Sequence, residues 1–108
     1  MKKVRLCRQT SGQLRLRKDV HELRTKSENL KVLYVKIDSK DPHSCLIRLE
    51  PDIEVLALVD KYYPHVPPVL INFRTKEELK VPILGEWMPV FSVVNVLEQL
   101  LEMGSHQL

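Results

Sequence analysis

Glycine is scarce in this chain of 108 residues. Gly12, Gly85 and Gly104 stand alone, and no spacing among them suits the backbone loop that cradles a phosphate. Cysteine is scarcer still. Cys7 and Cys45 lie 38 residues apart without a C-x-x-C partner, which excludes a disulfide framework and a redox pair. Both read as free thiols of a reducing compartment. His21, His43, His65 and His106 are scattered, with no paired cysteine or carboxylate at ligand spacing, so neither a metal nor a small-molecule cofactor is expected. No apolar run approaches the roughly 18 residues that a membrane span needs. The basic start Met1-Lys2-Lys3-Val4-Arg5 has no apolar stretch behind it, as a secretory signal would. The expectation is a cytoplasmic or nuclear protein.

What is present suits one globular domain with one modest core. Hydrophobic residues make up 44% and charged residues 29%, both ordinary for such a domain. The formal charge is +3. Much of it comes from Lys2, Lys3, Arg5, Arg8, Arg15, Arg17 and Lys18. These cations are not interleaved with aromatics, so they read as a solvated basic stretch and not as a nucleic-acid face.

Residues 1–12 read as a flexible basic arm, 13–103 as the domain and 104–108 as a tail. Leu16, Val20 and Leu23 recur at helical spacing within 13–24, with Arg15, Lys18, Asp19 and Glu22 covering the other side. Residues 32–37, 45–49, 53–59 and 69–73 are rich in strand formers and separated by turns at Asp41-Pro42 and Pro51-Asp52. Such short connections predict an antiparallel meander. Residues 74–86 read as connection anchored by Leu79, Val81, Ile83 and Leu84. A last helix is predicted over 91–103, with Ser92 as N-cap, Val93, Val94, Leu97, Leu100 and Leu101 on one face, and Gly104 as C-cap. The fold class is therefore α+β: an N-terminal helix, a four-stranded antiparallel meander sheet and a C-terminal helix packed on it.

Four stretches in this order resemble the ubiquitin-conjugating (E2, or UBC-like) family. Leu14-Arg15-Leu16-Arg17-Lys18-Asp19-Val20-His21-Glu22-Leu23 looks like its first helix, and is especially similar to the enzyme that conjugates NEDD8. Ile47-Arg48-Leu49-Glu50-Pro51-Asp52 resembles its second strand and following proline. Tyr62-Tyr63-Pro64-His65-Val66-Pro67-Pro68-Val69 matches its Tyr-Pro-x-x-Pro-Pro signature. Ile83-Leu84-Gly85-Glu86-Trp87-Met88-Pro89 matches its Trp-x-Pro segment. The resemblance covers about residues 13–103. The related RWD domains share part of the tyrosine-proline signature and are the alternative relative.

Three departures define what the resemblance implies. The hairpin after Asp52 is short, and the family's helices beyond about residue 103 are absent, as in a trimmed domain. The family's His-Pro-Asn and catalytic cysteine are also missing; Lys76-Glu77-Glu78-Leu79-Lys80-Val81-Pro82 stands there, with Lys80 near the cysteine position. Without a thiolate no transferable thioester forms at that place. The expectation is a shortened, non-catalytic E2-like binding module, an adaptor or modulator of ubiquitin or NEDD8 conjugation. Its partners would be E1, E2 or E3 proteins or a ubiquitin-like modifier.

By the same resemblance, Arg15, Lys18 and His21 would face outward on the first helix. His65 and Val66 on one loop, and Met88, Val90 and Phe91 on another, would meet an E3. Tyr63, Pro64, Pro67, Pro68, Trp87 and Pro89 are assigned mainly to the fold. Lys36, Arg48 and Glu54 would lie on the back face of the sheet, which binds ubiquitin in some members. An uncovered last helix would offer an apolar surface on which copies could associate. Two alternatives stay open: an RWD-like structural module outside conjugation, and an enzyme using Cys45 as a relocated nucleophile beside His43. For Cys45 itself the preferred reading is a small buried side chain in a strand.

Overall fold

The computed structural model describes residues 9–103. The chain is α+β, running α1 (Ser11–Thr25), α2 (Ser27–Leu30), β1 (Val32–Ile37), β2 (Ser44–Leu49), β3 (Ile53–Leu58), β4 (Val69–Asn72), α3 (Pro82–Gly85) and α4 (Val93–Met103). The four strands form one antiparallel sheet in the order β1-β2-β3-β4, the expected meander. Among the described residues no helix is long and apolar enough to cross a membrane. The arm's residues 1–8, with Cys7, and the tail with Gly104 and His106 lie outside the described residues.

The first helix starts two residues earlier than its apolar spacing indicates. Thr10 is its N-cap: the Thr10 hydroxyl accepts from the Gln13 amide at 3.1 Å, and Gln13 Oε1 accepts from the Thr10 amide at 3.0 Å. This reciprocal pair satisfies two amides that a bare helix start would leave unmade. Ser11 and Gly12, assigned to the flexible arm, are thus the first turn of α1. Gly12 is docked: its amide donates to the Lys61 carbonyl at 2.9 Å, and a Cβ there would stand 2.1 Å from the Asp60 carbonyl oxygen. The Gly12→Ala variant is therefore expected to lose about 1–3 kcal/mol of stability from forced backbone displacement, although alanine is the better helix former by up to about 1 kcal/mol. Urea unfolding of the two chains checks the sign.

The register assigns the two faces of the sheet. Val35, Ile47, Val55 and Asn72 align across the four strands, as do Ile37, Cys45, Ala57 and Leu70, and Leu49 aligns with Ile53. Most of these pack inward in one core with Leu16, Val20 and Leu23 of α1 and Val93, Val94, Val96, Leu97 and Leu100 of α4. Helix α1 runs against β1, α2 and α4. Among the described residues the apolar face of α4 expected to stand uncovered is largely taken up by the core, with Leu101 and Met103 half-buried.

The opposite register set faces outward, since side chains alternate along a strand. It contains Tyr34, Lys36, Leu46, Arg48, Glu54, Leu56 and Ile71. Lys36 and Arg48 are exposed and Arg48 pairs with Glu54 at 3.1 Å, so these three residues do lie on the back face. The free edge of β1 is partly blunted by Arg24, whose guanidinium donates to the Val35 carbonyl at 3.0 Å.

The segment after β4 carries more structure than a connection. Leu79 donates to the Leu70 carbonyl at 2.8 Å, Ile71 and Glu78 form a bridge, and Pro82 opens the short helix α3. Ser92 precedes α4, and its amide is taken by Asn95 Oδ1 at 2.9 Å.

Candidate protein-binding site

Two loops meet at the end of the sheet next to α1. The first, residues 60–68, carries the tyrosine-proline signature, and its Tyr63-Pro64 peptide is cis. Tyr63 is fully buried, with its ring 6.1 Å from that of Trp87. Trp87 opens the second loop. Its indole N–H donates to the Pro64 carbonyl at 2.7 Å and its ring meets Phe91 edge-on at 5.7 Å. A single hydrogen bond and a run of three aromatic rings therefore fasten one loop to the other. Tyr63 and Pro68 are buried and Pro64 and Trp87 half-buried, while Pro67 and Pro89 are exposed.

Outside this framework stand the side chains that the resemblance marks for binding. Val90 is 74% and Met88 52% exposed, and His65 and Val66 are exposed as well. Apolar side chains held this far into solvent contribute little burial to the fold and are accessible to a partner. On α1, Lys18 and His21 face outward. They border one open hollow of about 450 Å³ together with Arg15, Val90 and Asn95, so α1 and the second loop contribute to one surface. Phe91 is half-buried against Trp87 and stands back from that surface.

Arg15 departs from its expected role. It is half-buried at the edge of that hollow and committed to the fold: its Nε donates to Asp19 Oδ1 at 3.1 Å, and its two terminal nitrogens donate to the carbonyls of Pro89 (3.4 Å) and Phe91 (3.0 Å). Asp19 departs further. Placed on the solvent side by the sequence reading, it is 1% exposed. Besides Arg15 it accepts from the Tyr63 hydroxyl and from the Val93 amide, the latter at 3.3 Å, while the same amide also reaches the Tyr63 oxygen at 3.1 Å. Burial pushes the Asp19 carboxyl above its ordinary value, against the hydrogen bonds of Tyr63, Val93 and Arg15, which pull it down. Burial and the Asp19 charge together raise the Tyr63 phenol.

The sequence reading missed this cluster. Asp19 sits three residues after Leu16 and four before Leu23, a position on the apolar stripe that helical spacing itself marks as inward.

The candidate nucleophile is enclosed. Cys45 is fully buried in β2, and burial pushes its thiol from the ordinary 9.0 up to about 12. His43, proposed as its activator, instead places Nε2 at 2.9 Å from the Thr10 hydroxyl. Lys80, near the cysteine position that the resemblance implies, is exposed two residues before α3. Asn72 spends its side-chain oxygen on the amides of Arg74 and Thr75, closing the turn after β4. Among the described residues no group of three His, Cys, Asp or Glu side chains is arranged to hold a metal ion. Compared with family models, with curated proteins and with solved structures, the chain finds no match.

Proposed function

We propose that this chain is a non-catalytic, E2-like protein-binding module that acts on ubiquitin or NEDD8 conjugation as an adaptor or modulator. The observation that carries the reading is the joint surface of α1 and the two tied loops. Val90 borders it with Lys18 and His21 of the helix, and Met88 on the same loop and His65 and Val66 on the loop tied to it are exposed. The four family-like stretches quoted above supply the identity of the partners: an E1 or an E3 is the protein that such a surface serves in the enzymes this chain resembles. The burial of Cys45 speaks for binding and against acyl transfer, since a thiol without access to a partner's thioester cannot be charged.

The test is direct binding. The chain is immobilised and exposed to the ubiquitin E1, the NEDD8 E1 and a set of RING domains from E3 ligases. At least one is expected to bind, with the affinity falling tenfold or more in Val90→Asp and Met88→Asp, because a charge would be driven into the dry centre of the contact, a loss on the order of 1.4 kcal/mol or greater. Absence of binding to every one of these proteins by a folded sample would sink the reading.

A further inference from the structure

Val90 stands between two carbonyls, those of Pro89 and Phe91, and both accept from the same guanidinium. The third donor of that guanidinium, Nε, is taken by Asp19. Asp19 in turn is held by the Tyr63 hydroxyl and the Val93 amide, so α1, the first loop and the start of α4 converge on one buried carboxylate. The second loop has little backbone bonding of its own. Pro89 has no amide to donate, and the turn is closed by the Phe91 amide on the Met88 carbonyl at 2.9 Å. Without the clamp, the Pro89 and Phe91 carbonyls would have only water to satisfy them, and the exposed Val90 would have no fixed direction.

From this geometry we infer that Arg15, oriented by Asp19, is the positioning residue of the docking surface: it sets residues 88–91 from beneath, so that Met88 and Val90 are presented together. As a statement about docking this rests on the function proposed above; as a statement about the loop it stands alone. The chemistry calls for arginine. A planar fork reaches three acceptors in fixed directions at once, whereas a lysine ammonium is a point charge on a flexible stem. Lysine still offers a cation to Asp19, so the Arg15→Lys chain keeps the charge pair while losing the grip on the two carbonyls.

Amide hydrogen exchange by NMR separates positioning from plain stabilisation. In Arg15→Lys the Phe91 amide is expected to exchange at least tenfold faster, while the amides of Ile47 and Leu97 in the core keep their wild-type rates. Equal acceleration everywhere, or an unchanged Phe91, would overturn the inference. A measurement on the wild-type chain needs no variant to fold. The Arg15 guanidinium should show a slowly exchanging Nε proton and hindered rotation of its terminal nitrogens, and free rotation would also overturn it. Against any E1 that Val90→Asp releases, Arg15→Lys should bind about tenfold more weakly, and undiminished affinity would count against Arg15. If neither E1 nor any RING domain binds the wild-type chain, the proposed function fails, and the exchange and rotation measurements still decide the role of Arg15.

Discussion

Asp19→Ala is expected to lose about 3–5 kcal/mol of unfolding free energy, the cost of removing one member of a buried, hydrogen-bonded charge pair. A domain of this size holds on the order of 5–15 kcal/mol in total, so the variant should be only marginally folded at 37 °C. The loss has named parts. The Tyr63 hydroxyl, fully enclosed, is left without its acceptor, and the Arg15 guanidinium without its counter-charge. The Val93 amide at the head of α4 keeps only the Tyr63 oxygen. Asp19→Asn retains an acceptor oxygen for Tyr63 and Val93 and turns a second donor toward Arg15, so its cost should be smaller, about 1–3 kcal/mol. Urea denaturation of the three chains gives the order wild type, Asn, Ala.

The same residue gives a pH dependence with a definite sign. The folded-state pKa of Asp19 is raised above the ordinary 3.8 because burial disfavours the carboxylate. The folded chain therefore binds this proton more tightly than the unfolded one. The contribution to stability is fully present below the unfolded value and falls as pH rises through the folded value. Subtracting the Asp19→Asn stability curve from that of the wild type should isolate this decline, starting near pH 4. A difference curve that rises with pH over that window would mean that Arg15 and the two hydrogen bonds outweigh burial.

The second large effect concerns Cys45. With its thiol at about 12 against the ordinary 9.0, the thiolate fraction at neutral pH is roughly a thousandfold below that of an open thiol. Full burial adds a steric barrier, because a reagent must wait for the sheet to open. In a Cys7→Ser background, labelling by a maleimide or disulfide reagent is expected to be at least a thousandfold slower than for free cysteine, and to become complete in guanidinium. The corresponding charging assay uses the ubiquitin or NEDD8 E1 with its modifier and ATP, read on a non-reducing gel. No adduct sensitive to reducing agent is expected. An adduct that appears and is then lost in Cys45→Ser would establish the enzymatic alternative and remove the binding-module reading.

How much of this was open to sequence reasoning depends on the range of the interaction that settles each element. The meander was legible because its cause is local: short alternating or apolar runs separated by Asp41-Pro42 and Pro51-Asp52 leave little choice but antiparallel neighbours. The stripe Leu16, Val20 and Leu23 was legible for the same reason. The capping box at Thr10 and Gln13 was written in the chain as well, and extends α1 into the stretch assigned to the arm. The burial of Cys45 followed from its place in a strand that alternates toward the core.

Other features required the tertiary structure, since they depend on what comes to lie opposite. Charge argued for Asp19 in solvent while spacing argued for the core. Spacing won because Tyr63, 44 residues away, and the amide of Val93, 74 residues away, arrive to receive the carboxylate. Arg15 was drawn onto the second loop by the same convergence: two carbonyls more than 70 residues along the chain offer acceptors for its terminal nitrogens, while Asp19 of its own helix takes Nε. Met88 and Val90 were expected in solvent by resemblance and are exposed; what the fold adds is the hold of Arg15 on the carbonyls of Pro89 and Phe91 beside them. The sequence alone determined the two long helices, the four strands and which way the strands run, because those choices are governed by neighbours a few residues apart; the short helices α2 and α3 came only with the fold. The folded chain decided which polar residues are buried and how the loop that carries Met88 and Val90 is held, because these choices depend on contacts between residues far apart in the chain.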